Sequence, residues 1–318
     1  MAISVFKSKK SMFFTITAVL LLLALTVVLS LQASYKPSDR AVAETRIETM
    51  NEFVRTVKSD LQRGLYISSF RAVMSMEEFV SEGAFLNSSS SGFRDAIMTG
   101  RISNQSMSLM QGSTLPDWAA RINAKASEID VRANISVDGI SISQKDSWIL
   151  LAEANITINI TDSLNTAAWH LNESVKSAIT IIGLEDPVFS IGTQGRVIRQ
   201  VNATLYEGNY VSGADTTNLK RHIDGFYYTN STSGPSFLMR LEGNYNASPY
   251  GIESFVNVPE LQQKGVPQFQ RSMVDYIYFG NLSTEKLYRV NSTYESWLIL
   301  GNSSLQKYQV TGLAQELG

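Results

Sequence analysis

The sequence has no cysteine. Disulfides, thiolate nucleophiles, cysteine-ligated zinc and iron–sulfur clusters are therefore outside its chemistry, and the core alone has to hold the fold. Histidine is nearly absent too: His170 and His222 are the only two, far apart, so no HExxH or other paired-imidazole spacing exists for a metal. Charge is sparse, at 18% of residues with a net of -2. Beyond Lys7, Lys9 and Lys10 no basic cluster offers a footprint for a polyanion, which argues against nucleic acid as a partner. G-x-S-x-G elbows, Walker loops and dinucleotide fingerprints are all missing, so no cofactor and no enzymatic activity are expected. The acid pairs Glu185 with Asp186 and Glu253 with Asp275 lack any further mark of a glycosidase, and Arg240 with Glu242 reads as a structural ion pair or clamp.

What the chain does have is hydroxyl and amide groups in place of charge, and one long greasy run. Met12–Leu31 contains no charged residue, and about twenty helical residues just cross a hydrocarbon core of about 30 Å. Lysines stand directly before it and the first charges after it are Lys36, Asp39 and Arg40. The positive-inside rule then places the N-terminus in the cytoplasm and everything from Gln32 onward outside, with membrane lipid as the partner of 12–31. The alternative, a cleavable secretory signal, has a shorter apolar stretch, about 7–15 residues, ending at a small-x-small site; here Leu31 occupies one of the small positions.

Asn-x-Ser/Thr triplets occur at Asn87, Asn104, Asn134, Asn155, Asn159, Asn172, Asn202, Asn230, Asn246, Asn281, Asn291 and Asn302, all beyond the apolar run and none with a central proline. Chance would give about four in this composition, and selection for N-glycosylation outside the cytoplasm explains the excess.

Past the apolar run, apolar residues at Ile47, Met50, Val54, Val57, Leu61 and Leu65 recur every three or four positions. They predict an amphipathic helix over about 39–82, capped by Ser38 and weakened or bent at Gly64. It would serve as the domain's core face or as a seam to another copy or another envelope protein. Asn87–Gly92 reads as a flexible break, followed by a short helix, and Thr114 caps a helix reaching about Ile129. From Asp130 the pattern turns to alternation, predicting strands to about Thr161 with a hairpin turn at Asp138-Gly139 and further sheet through 177–184. Asp186–Leu205 reads as a hairpin, and 206–215 as a connection where the domain could subdivide. A helix over Asn218–Gly225 follows, then a short helix from Pro235, a strand in MVDYIYFGN and a last helix capped by Asn302. His222, beside Arg221 on a polar helix, reads as a surface residue.

Three resemblances attach to these residues. Lys9-Lys10-Ser11 followed at once by the apolar helix resembles the class III signal of archaeal type IV pilin-like proteins. It implies removal of a basic leader after Ser11, although Ile16 stands where bacterial pilins carry Glu. Asp186, Pro187, Val188, Phe189, Gly195 and Asn202 are similar to the opening of PAS-type sensor domains, which implies a ligand-sensing module. The order PSFLMRLEG, YGIESFVN, VDYIYF resembles archaeal cell-envelope proteins, which implies an address.

The combined expectation is an α+β protein: a basic leader at 1–11, a transmembrane helix at 12–31, a long amphipathic stalk helix at 32–82, and a mainly antiparallel β-sheet domain with short helices at 83–318. The expected role is structural, adhesive or pilus-like surface assembly at the plasma membrane. An extracytoplasmic sensor is the alternative, and an anchored hydrolase comes third.

Overall fold

The computed structural model describes residues 9–34, 39–165, 167–282, 285–290 and 297–317. The chain divides into two compact units, Met1–Val54 and Arg55–Gly318. Asn291, Ser38 and the 35–38 junction lie outside the described residues.

In the first unit, helix α1 runs over Lys9–Ser34, and every side chain from Phe14 to Leu31 is exposed. It is apolar on all sides, so no stripe exists to pack on a core. Its few hydroxyls turn inward: Thr26 Oγ1 donates to the Leu23 carbonyl and Ser30 Oγ to that of Val27, each at 2.9 Å, which lets a polar side chain sit in an apolar surround. Helix α2, Asp39–Ser81, opens in this unit and closes in the next.

The second unit begins on the distal part of α2, where Val57, Leu61, Leu65, Ala72, Val73, Met76 and Val80 are buried. α2 is one uninterrupted helix through Gly64. A Cβ there would lie 2.8 Å from Cδ1 of Trp118, so the glycine admits an indole against the helix backbone. Asn87–Gly92 is not a flexible break. Ser88 accepts from Ser91 N and starts α3, Ser89–Thr99, because serine's short side chain satisfies an orphan donor of the first turn. The hairpin β1 (Arg101–Ile102) and β2 (Gln105–Ser106) turns through Ser103 and Asn104, both left-handed. Helix α4, Leu115–Glu128, starts on the expected cap, Thr114, closed reciprocally by Asp117.

Three long antiparallel strands follow: β3 (Val131–Asp146), β4 (Ile149–Asp162) and β5 (Ala168–Thr180), in the order β3-β4-β5. Asp138-Gly139 is not the turn. The register shifts there while β3 continues, a bulge that absorbs one extra residue. The chain reverses at 147–148 instead, where Asp146 Oδ1 accepts from Trp148 N at 2.8 Å. One face of β4 (Leu150, Ala152, Ala154, Ile156, Ile158, Ile160) is fully buried, at about 1.5–3 kcal/mol for each large aliphatic. α3 and α4 lie against β3, and Lys58 of α2 pairs with Glu173 of β5 at 2.6 Å. The other face looks to solvent.

After the sheet the chain is built from short pieces. α5 (Pro187–Gly192), α6 (Thr217–Asp224), β6 (Thr229–Asn230), α7 (Phe237–Leu241), β7 (Ile252–Glu253) and α8 (Val258–Gln263) come first. α9 (Asp275–Gly280), β8 (Leu287–Val290), β9 (Ile299–Gly301), α10 (Asn302–Lys307) and β10 (Ala314–Glu316) complete the fold. β6 pairs β7, and β10, β8 and β9 form an antiparallel sheet in that order. The expected hairpin at 186–205 is replaced over Pro187–Gly192 by helix α5, because Asp186 caps it through Val188 N and Pro187 opens it; the chain then returns so that Glu185 bridges Gln200 antiparallel. MVDYIYFGN is the helix α9 rather than a strand, ended by Asn281 in the left-handed conformation. Asn302 is the first residue of α10 and makes no side-chain cap; Gly301 occupies the cap position.

Candidate functional site

The sequons are the most numerous sequence-derived candidates, and the structure places them outward. Asn87, Asn104, Asn134, Asn155, Asn172, Asn202, Asn230, Asn246, Asn281 and Asn302 are exposed and Asn159 is half-buried. Among asparagines outside sequons, Asn123, Asn218, Asn244 and Asn257 are half-buried while Asn51, Asn165 and Asn209 are exposed. The acceptor asparagines are thus the more accessible set. Ser11 falls inside α1.

The densest polar constellation is a buried ionic centre. Asp186 Oδ1 accepts from Val188 N at 3.0 Å while Oδ2 accepts from Tyr228 OH at 2.8 Å and from Arg240 Nη1 at 2.7 Å. Arg240, on α7, also donates Nη1 to Asp275 Oδ2 at 2.9 Å and Nη2 to the Ile252 carbonyl. Asp275 in turn accepts from Ser254 N at 3.1 Å and Tyr276 N at 2.7 Å. Asp186, Arg240 and Asp275 are all 0% exposed.

Burial opposes the Arg240 charge, but Asp186 and Asp275 outweigh it and hold its proton more tightly. Burial raises the Asp275 carboxyl, with Arg240 pulling the other way. The Tyr228 hydroxyl is pushed well up by burial and then by Asp186, so it remains a donor. Close by on α2, Glu77 is raised to about 9 by burial first and Glu185 second, which makes it a neutral acid at pH 7.

Asp186 is committed to the centre. Glu253 faces elsewhere, accepting from Tyr308 OH at 2.7 Å and pairing with Lys307 at 2.8 Å. Glu242 accepts from Ser89 N at 2.6 Å and so ties α7 to the start of α3.

His222 is not on the surface. It is fully buried, with ring centroids 5.1 Å from Tyr210, 5.6 Å from Phe255 and 6.1 Å from Tyr308. Its Nδ1 lies 2.9 Å from Thr204 Oγ1 and its Nε2 has no hydrogen-bond partner. Burial, followed by Lys307, pushes the imidazole down to about 3, so it is neutral. The signal was present in sequence: Leu219, His222 and Ile223 share one face of α6.

Two open grooves border α4. One of about 440 Å³ lies against Met98, Met107, Gln111 and Asp117, and one of about 230 Å³ against Asp60, Arg63, Trp118 and Arg121. Neither reaches the ionic centre. Among the described residues no group of His, Asp and Glu is arranged to hold a metal. No family model, curated protein or solved structure matches the chain. As built, the centre ties together four segments distant in sequence: the α5 start, the chain at Tyr228, α7 and the α9 start. That is the chemistry of a clamp.

Proposed function

We propose that this chain is a single-pass, N-glycosylated envelope protein with a class III pilin-like leader, whose ectodomain serves surface assembly or adhesion. The observation that carries the reading is α1: eighteen residues, Phe14–Leu31, apolar on every side with none of them buried. Each leucine or valine left in water forgoes about 1.5–3 kcal/mol, and lipid removes that cost while the helix satisfies its own backbone. Lys7, Lys9 and Lys10 on one flank set the cytoplasmic end.

The exposure of the sequon asparagines supports an extracytoplasmic address for the second unit. Glycan would also supply the solubility that a chain with 18% charged residues lacks. A clamp sealed from solvent and a stripe of core residues on α2 suit a domain whose work is to keep its shape. The sensor alternative drew on a hairpin at 186–205, where Pro187–Gly192 forms the helix α5.

Fractionation tests the reading. The full-length protein is expected in the membrane pellet after an alkaline wash and to lose mass on enzymatic or chemical deglycosylation. Recovery in the soluble fraction, with a mass equal to that of the bare chain, would overturn it.

A further inference from the structure

The outward face of the β3-β4-β5 sheet carries four sequons. Asn134 lies on β3, Asn155 and Asn159 on β4, and Asn172 on β5. Strand side chains alternate with period two, so each asparagine and the hydroxyl two residues on share this face. Those hydroxyls belong to Ser136, Thr157, Thr161 and Ser174, while the middle residues of the β4 sequons, Ile156 and Ile160, turn into the core. Between them the face presents Ser141, Glu153, His170 and Lys176, with its large apolar residues, Ile149 and Leu151, together at the start of β4. An acceptor surface for sugar needs solvent-accessible amides with hydroxyls two residues downstream, and both coincide here, with the apolar pair Ile149 and Leu151 set at the start of β4.

Register adds a constraint. Asn134 and Asn159 are directly opposed across the β3-β4 pair, which sets their Cβ atoms about 4.5–5.5 Å apart. One sugar ring fills that spacing. Asn155 lies four residues from Asn159 along the same strand, about 13 Å away, with room for a chain of its own.

We propose that this face is a glycan-bearing surface on which Asn155 carries one chain and the opposed Asn134 and Asn159 share a single further chain. The inference rests on the extracytoplasmic reading above. The co-reactant is an oligosaccharide activated on a lipid phosphate or diphosphate. The asparagine Nδ2 forms a bond to the anomeric carbon, the bond from that carbon to the phosphate oxygen breaks, the lipid phosphate leaves, and the transferase takes one amide proton. β4 is hydrogen-bonded on both edges, so a transferase reaches Asn155 and Asn159 before the sheet closes. A hydrated coat on this face directs protein partners to other surfaces.

The test is glycopeptide mass spectrometry on full-length protein from its native membranes, using a digest that keeps Asn134 and Asn159 on one fragment. The expected result is one chain at Asn155 and occupancies at Asn134 and Asn159 that sum to no more than one per molecule. In Asn134→Gln, and separately in Ser136→Ala, which leaves the asparagine in place, the shared chain moves wholly to Asn159. A fragment with sugar on both Asn134 and Asn159 overturns the proposal. So does a bare sheet face with sugar at Asn87, Asn104 or Asn230, an outcome that leaves the envelope reading standing. A chain bare at every sequon overturns the proposal and the glycoprotein reading together.

Discussion

Arg240 and Asp275 meet at 2.9 Å with neither side chain reaching solvent, and the same Nη1 reaches Asp186 at 2.7 Å. Two carboxylates are thereby held by one guanidinium in the middle of the second unit. Removing the cation strands both. Arg240→Met is expected to lower unfolding stability by about 3–5 kcal/mol, read as a shift in urea midpoint. Adding Asp186→Asn and Asp275→Asn to that variant is expected to recover part of the loss, since the stranded charges disappear.

Gly64 gives a second expectation that runs against helix propensity. Alanine is better than glycine inside a helix by about 1 kcal/mol, yet a Cβ at this position would stand 2.8 Å from Trp118 Cδ1 and Nε1. The displaced indole would lose its 2.9 Å hydrogen bond to Asp60 Oδ2. Gly64→Ala is therefore expected to destabilise by about 1–3 kcal/mol and to red-shift tryptophan fluorescence. A more stable variant with unchanged emission would show that the close approach is absent.

Glu77 makes stability depend on pH in the alkaline direction. Its folded value, about 9, lies above the ordinary 4.5, so the folded state binds a proton that the unfolded chain releases. Its contribution is fully present below about 4.5 and is lost as pH rises towards 9. Glu77→Gln is expected to be more stable than the parent at pH 8, by on the order of 5 kcal/mol, and nearly equal to it at pH 4. Chemical unfolding at the two pH values separates these outcomes from a simple loss of packing, which would lower both.

His222 acts in the opposite sense. Its folded value is depressed from 6.5 to about 3, so its contribution is present above 6.5 and declines as pH falls towards 3, by about 1.4 kcal/mol per unit. His222→Leu removes the titration. The variant is expected to show a flatter acid limb between pH 6 and 4 than the parent in thermal unfolding, whatever its stability at pH 7.

Much of the first half of the fold was legible from local signals. The spacing Met50, Val54, Val57, Leu61, Leu65 marked the buried stripe of α2, Thr114 marked the start of α4, and period-two alternation marked β3 and β4. Asp138-Gly139 misled because a bulge and a turn use the same residues, and only the partner strand decides which forms. MVDYIYFGN misled for a different reason. Its aromatics favour a strand, but Asp275 is drawn to a buried arginine and accepts from Tyr276 N at the start of a helix. Arg240 stood out as half of an ion pair or clamp with Glu242, but its partners are Asp186 and Asp275, brought in by tertiary packing that no spacing rule encodes. The outward sheet face needed the register: that Asn134 opposes Asn159 is a fact about pairing.

The membrane reading of α1 is tested most directly by topology mapping of the intact chain in sealed cells or vesicles. A C-terminal tag should be cleaved by protease added outside without detergent, an N-terminal tag should be protected, and the uncleaved protein should resist alkaline extraction. A protected C-terminal tag, or full-length protein released into the supernatant by alkali, would contradict the account.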